Sequence, residues 1–322
     1  MKQYDVVALG ELLIDFTDNG TSAQGNPLME ANPGGAPCNV LAMLQRLGRK
    51  TAYIGKVGED IFGRQLKDAL AEVGIDDRGL RVDKDVRTTL AFVKTFPGGD
   101  RDFSFYRNPG ADMMFSEADL DEDLVKDCKV FYIGTLSMTH EPCRTAAHKA
   151  LDLAREAGAV ITFDPNLREP LWDSLDEAKE QILYGIARCD VLKISDNEIV
   201  WLTGEEDYDA GIRKIQEQYH VPLIMLSMGK DGSRAYTEDM RVEVPAVLSD
   251  KTIETTGAGD TFCACVISHI IKWGWRKYTE AELKEMLTFA NTAASIITTR
   301  KGALRVMPTR AEVEDLLAKN AK

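Results

Sequence analysis

Histidine is scarce, four in 322 residues, and none is spaced with a cysteine pair, so a mixed cysteine–histidine zinc site has no ligand set here. The six cysteines, at 38, 128, 143, 189, 263 and 265, form no C-x-x-C pair and fall in apolar segments. In a chain of this length they read as reduced, mostly buried thiols of a cytosolic protein. No apolar run approaches the ~18–20 residues that span a bilayer. Residues 1–5 lead into a short apolar run broken by Gly10-Glu11 with no cleavage-site pattern, which predicts a first strand and not a signal peptide. Basic side chains are in deficit, 39 against 52 acidic, for a net charge of −13. That balance sets nucleic acid and anionic membranes aside as partners. It still allows a small anionic ligand in one local pocket.

Several phosphate and hydrolase signatures are also missing. Gly229-Lys230-Asp231-Gly232 is not a Walker A loop, and Gly257 and Gly259 are not followed by a glycine at 262, so the dinucleotide fingerprint fails. Neither a GxSxG elbow nor an HExxH helix occurs.

What is present alternates between two periods. Short runs apolar on both faces stand at 6–9, 51–54, 130–133, 160–163, 191–194 and 223–226. Amphipathic stretches lie between them at 37–48, 60–73, 142–157, 174–187 and 208–219. This rhythm predicts an α/β fold, a mostly parallel sheet with helices on both faces, in one domain over 1–322. Two segments break it. Residues 88–106 read as a hairpin turning at Pro97-Gly98-Gly99-Asp100, and 11–33 is irregular and polar. Together, over about 11–33 and 88–112, they read as a small β-lid or as ordinary surface hairpins. The last third is helical, over 256–273 and 279–299, with capping boxes at Thr279/Glu282 and Thr309/Glu312.

Chemistry concentrates where predicted strands end. In Thr255-Thr256-Gly257-Ala258-Gly259-Asp260 two glycines open an apolar helix, so backbone amides can meet an anion while Asp260 accepts a proton from an attacking hydroxyl. The same residues also suit a glycine-rich cap with Asp260 complementing the helix dipole. Gly34-Gly35 with Asn39, and Asp15 in an apolar run, offer the paired donors and acceptors a polyol needs, or else a tight turn and a solvated strand end. Arg168 follows the strand at 160–163, and Lys193, Ser195 and Glu198 follow the next, on the ligand-binding edge of an open sheet. Ser195/Glu198 makes a capping box, and Glu198 also suits magnesium-bound water. Ser227, Gly229 and Gly232 end a further strand and could wrap a nucleotide.

With these residues in view the chain resembles the ribokinase/PfkB carbohydrate kinases, most closely the fructokinase branch. The resemblance runs through Gly10–Phe16, Pro33–Asn39, Gly55–Gly63, Phe105–Met113, Asp164–Trp172, Thr255–Phe262 and Arg300–Ala303. It implies a ribokinase-like fold with a small β-sheet lid that often makes a homodimer interface. It further implies ATP and magnesium as cofactors, with Asp260 as base and the amides of Gly257, Ala258 and Gly259 as anion hole. Asp15, Gly34, Gly35, Asn39, Arg107 and Arg168 would bind sugar, and Lys193, Ser227, Gly229, Gly232 and Asn291 the nucleotide. Two departures stand out: Glu254 where the family usually has Asp, at a position linked to potassium, and Ser195 opening the motif that ends at Glu198. The expected reaction is phosphorylation of D-fructose at its 6-hydroxyl. A kinase for 2-keto-3-deoxygluconate or another sugar or nucleoside, and a silent sugar-sensing homologue, stay open.

Overall fold

The structure, a computed structural model, describes residues 2–95 and 101–320. Among the described residues the strands are β1 Tyr4–Leu9, β2 Leu13–Thr21, β3 Pro27–Gly34, β4 Thr51–Gly58, β5 Asp76–Asp83, β6 Leu90–Thr95, β7 Arg101–Tyr106, β8 Cys128–Gly134, β9 Val160–Asp164, β10 Val191–Ser195, β11 Leu223–Ser227, β12 Ser233–Tyr236 and β13 Arg241–Val244. The helices begin with α1 Ala36–Arg46, α2 Ile61–Val73, α3 Glu122–Lys126, α4 Cys143–Glu156 and α5 Leu175–Ile186. They continue with α6 Asp196–Thr203, α7 Tyr208–Tyr219, α8 Ala258–Trp273, α9 Glu280–Ile297 and α10 Arg310–Asn320.

Nine strands form one sheet in the order β13-β12-β11-β10-β9-β8-β1-β4-β5. From β11 to β5 every pairing is parallel, and β12 and β13 add an antiparallel edge. Alternate strand residues sort to opposite faces: Val6, Ala8, Val130 and Tyr132 join the core under α1, α2, α8 and α9. Val7, Leu9, Phe131 and Ile133 join the core under α4, α5 and α7. Period-two exchange between two covered faces is why these strands read as unbroken apolar runs.

The chain leaves β1 toward β4 and β5 on one side, then returns to β8 and works outward on the other. The reversal between β1 and β8 places a crevice at their carboxyl ends. Over it lies a second, four-stranded sheet in the order β3-β2-β6-β7. The small β-sheet expected from 11–33 and 88–112 is present: the irregular first segment supplies two antiparallel strands, β2 and β3, whose polar composition reflects a sheet with little core of its own. The expected hairpin arms pair as β6 and β7, Leu90 opposite Tyr106, while its turn at 97–100 lies outside the described residues. Strand β5 and the β12–β13 edge, mixed in polarity, carried no apolar run to reveal them.

Candidate active site

A cleft of about 480 Å³ opens between the two sheets. Leu13, Asp15 and Thr17 face it from β2 at the two-residue period of a strand, joined by Val93 of β6 and Phe105 of β7. Its floor is the entry to α1. Gly35 caps that helix at φ 113°, and a Cβ there would meet the Glu11 carbonyl oxygen at 2.5 Å, so only glycine fits. Gly34 lies against Asp15, whose Oδ2 would sit 2.2 Å from an added Cβ. Because Gly35 has no side chain to cap α1, the buried Glu11 carboxylate does so, accepting the Ala36 N–H at 2.8 Å. Burial pushes the Glu11 carboxyl up to about 7.

One turn into α1, Asn39 Nδ2 donates to Asp260 Oδ2 at 2.8 Å. Asp260 stands in the first turn of α8, which starts from Gly257 at φ 74°. Burial raises the Asp260 carboxyl, opposed by the Asn39 hydrogen bond and by the charges of Lys193 and Arg168. The Ala258 N–H donates to the Thr255 carbonyl at 3.2 Å, and the Thr261 N–H to the Gly257 carbonyl at 2.8 Å. The head of α8 is thereby folded over the cleft, with Gly257, Gly259 and Asp260 in its wall.

A second cleft, about 440 Å³, continues past the ends of β9, β10 and β11. Asn166, Arg168, Lys193 and Gly259 line both clefts and mark their junction. Ser227, Gly229, Ser195 and Glu198 line the second. The buried Lys193 ammonium lies 3.2 Å from Asp164 Oδ1. Glu198 closes the expected capping box of α6, accepting the Ser195 N–H at 2.8 Å, and it also takes the Leu167 N–H at 2.8 Å. Burial pushes its carboxyl up, but Lys193 and those N–H donors outweigh it and leave it below the usual range.

Three expected contacts are corrected. Arg107 does not line either cleft; its guanidinium is buried, paired with Asp112 at 2.8 Å and donating to Thr139 Oγ1 and the Leu136 carbonyl at 2.9 Å. Four of the five N–H donors of its planar fork are thereby engaged inside the protein. Asn291 is likewise committed, accepting from Ser233 Oγ at 2.9 Å and donating to the Val244 and Pro245 carbonyls at 3.2 and 3.1 Å. Gly232, at φ 106° with the Val244 carbonyl oxygen 2.2 Å from where a Cβ would be, serves the turn into β12 and lines neither cleft. Glu254 accepts the Gly302 N–H at 2.8 Å and so ties the loop before α8 to residues 300–303.

Sequence reasoning gave no role to Glu11, Asp164 or Asn166, although each sits inside a quoted motif. Glu11 follows the single Gly10 in the sequence, and nothing local ties it to the glycine pair 23 residues on. Asn166 holds φ 45°, a conformation that asparagine tolerates and that turns the chain at the strand end.

The profile of pfkB family carbohydrate kinases matches residues 3–310. Probable fructokinase-2 of Arabidopsis thaliana is 40% identical over 314 residues, covering 97% of this chain and 95% of the relative. Fructokinase with bound ATP from Xylella fastidiosa superposes with a TM-score of 0.89 at 27% identity, covering 99% of both chains. Fructokinase from Vibrio cholerae O395, in a fructose-, ADP- and calcium-bound form, gives 0.88 at 28% identity over 98% of this chain and 99% of the other.

Proposed function

The chain belongs to the pfkB family of carbohydrate kinases, and from that premise we infer that it is an ATP-dependent fructokinase forming fructose 6-phosphate. The observation that carries the reading is Asp260, held by Asn39 at the head of α8 on the wall of the cleft between the two sheets. Sugar would lie in the first cleft against Asp15, Gly34, Gly35 and Asn39, with Arg168 at its inner end. Leu13 and Val93 would pack on its carbon face. Nucleotide would lie along Lys193, Ser227 and Gly229 in the second cleft.

In the reaction the bond from the γ-phosphorus to the β,γ-bridging oxygen breaks and its electron pair leaves with ADP. The sugar's primary hydroxyl oxygen forms the new bond to phosphorus, and its proton passes to Asp260. With the Ala258 N–H turned to Thr255, the neighbouring amides of Gly257 and Gly259 are the donors proposed for the moving group. Magnesium, when bound, would offset phosphate charge. Both Glu198 oxygens already accept N–H groups, which suits contact with the ion through water. Glu254, tied to Gly302, is proposed to shape a potassium site beside the anion hole through the loop it anchors, not as a bare ligand.

The small sheet is proposed to act as a lid and as a homodimer surface, because it presents the exposed apolar side chains of Leu28, Met29 and Tyr106. Six buried free cysteines support a reducing, cytoplasmic setting. Among the described residues no helix is long and apolar enough to cross a membrane.

The test is ADP release with D-fructose beside a panel of other sugars and nucleosides, for the wild type and Asp260→Asn. Fructose should give the highest kcat/KM, and the variant should lose about 10²–10⁴-fold in turnover. Near-normal turnover of Asp260→Asn removes the mechanism, and a better panel member removes fructose.

A further inference from the structure

We infer that Lys301 is a positioning residue that latches the small sheet to the head of α8, so that the cover over the sugar and the donors for the phosphoryl group are set together. The inference rests on the kinase reading above. Lys301 lies in the loop between α9 and α10, yet among the described residues the acceptors of its ammonium all belong to the β2–β3 ribbon. Nζ donates to the Asp18 carbonyl at 2.8 Å and to Asn19 Oδ1 at 3.0 Å, and it pairs with Glu30 at 3.4 Å. The register of β2 on β3 shifts between Asp18 and Thr21. A bulge of this kind releases main-chain groups from the ladder, and the Asp18 carbonyl goes to the lysine.

The same loop is fixed to the body on either side of the lysine. Arg300 Nη1 donates to the Val306 carbonyl at 2.8 Å, and Nη2 pairs with Glu312 of α10. Gly302 donates its N–H to Glu254 at 2.8 Å. Ala303 packs on Gly257, since a Cβ added at that glycine would lie 3.0 Å from the Ala303 Cβ. Gly257 caps α8 and supplies one of the amides proposed to meet the phosphoryl group. Toward the sugar, a Cβ added at Gly302 would lie 3.2 Å from Asn32 Oδ1. Asn32 Nδ2 donates to Thr17 Oγ1 at 2.9 Å, and Thr17 lines the first cleft. One short loop thus touches the cover of one ligand and the cradle of the other.

The small sheet is also tied to α2, through the Phe16 and Phe62 rings, centroids 5.6 Å apart, and through Gln65 Nε2 donating to the Ala31 carbonyl at 2.9 Å. Among the described residues that line the two clefts none belongs to α2, so those ties hold the sheet without reaching the nucleotide. The Lys301 and Glu30 side chains are 39% and 47% exposed, so water can replace their pairing at little cost. A contact of that kind forms and parts with the position of the sheet. Sugar that draws the sheet down should favour the arrangement of 300–303 in which Gly257 is ready for the γ-phosphate. By reciprocity, nucleotide should favour the covered sugar by the same factor.

The experiment titrates the full chain calorimetrically with the β,γ-imido analogue of ATP, at fixed magnesium and potassium, with and without saturating sugar. The sugar is D-fructose, or whichever panel member turns over fastest, and melting curves check the fold. Wild type should bind the analogue about 10-fold more tightly when sugar is present. Lys301→Met should bring that ratio to about threefold or less, while its affinity for the analogue alone stays within about twofold of wild type, a pattern that general loosening would not produce. Lys301→Arg, keeping the charge, should retain a larger ratio than Lys301→Met. The sheet-side variant Asn19→Ala/Glu30→Gln should lower the ratio too, and adding Lys301→Met to it should cost less than the same change costs in the wild type. A wild-type ratio near one overturns the proposal, as does a Lys301→Met ratio within about twofold of wild type. So does full additivity of the sheet-side and lysine changes. If Lys301→Met does not fold, Lys301→Arg and the sheet-side variant decide the claim. A wild type that releases no ADP with any panel member sinks the kinase reading and this inference together. A working kinase whose ratio ignores Lys301 sinks this inference alone.

Discussion

Asn39 and Asp260, 221 positions apart in the chain, are joined by a 2.8 Å hydrogen bond that fastens the first turn of α1 to the first turn of α8. The bond does two things at once. It aims the Asp260 carboxylate across the cleft, and it favours the charged form that a base requires. A proposed sugar ligand and the proposed base are thus one unit.

Asn39→Ala removes the donor, and the Asp260 carboxyl should rise further as burial goes unopposed on that side. Activity depends on the deprotonated form and falls as pH drops through this value. The acid limb of kcat/KM should therefore move to higher pH, with a loss of about 10–100-fold at neutral pH. A pH–rate profile that keeps its acid limb would show that Asn39 does not tune Asp260.

The two glycines before α1 should fail differently. In Gly34→Ala the new methyl meets the Asp15 carboxylate, which can swing away, so the KM for sugar should rise about 10-fold or more with the fold retained. In Gly35→Ala the clash is with the Glu11 main chain at φ 113°, and the variant should lose about 1–3 kcal/mol of stability. Melting curves beside steady-state kinetics separate the two cases.

Arg107→Met should behave as a folding variant. It strands Asp112, 4% exposed, without its buried counter-charge, a change that typically costs about 3–5 kcal/mol. Denaturant titration should show that loss, while the folded fraction keeps its KM for sugar within about threefold. A selective rise in that KM, with stability unchanged, would restore Arg107 to the substrate.

Glu11→Gln tests the buried cap. The folded-state carboxyl sits near 7 against an ordinary 4.5, so it favours the folded chain fully below about 4.5 and loses that contribution as pH rises through about 7. Each pH unit between the two values is worth about 1.4 kcal/mol. A neutral glutamine can still accept the Ala36 N–H, so the variant should gain stability relative to wild type at pH 8.5 and show little gain at pH 4. Equal effects at both pH values would refute the assignment.

Much of the fold was legible because a strand buried on both faces must be apolar throughout, as at Val6–Leu9 and Leu223–Leu226, and because capping boxes such as Ser195/Glu198 and Thr279/Glu282 are local. The small sheet was only half legible. Strands β2 and β3 carry Asp18, Asn19, Glu30 and Asn32 and bury little, so no period marked them.

By itself the sequence determined the α/β class, the order of the motifs and the carboxyl-edge position of Asp164, Lys193 and Ser227, since these follow from each residue's place in its own element. Only the tertiary structure decided which side chains meet. A guanidinium or an amide serves a ligand and a buried partner with the same donors, so nothing local told Arg107 to turn to Asp112 or Asn291 to Val244 and Pro245. The packing of α1 beside α8 on one face of the sheet likewise set Asn39 against Asp260.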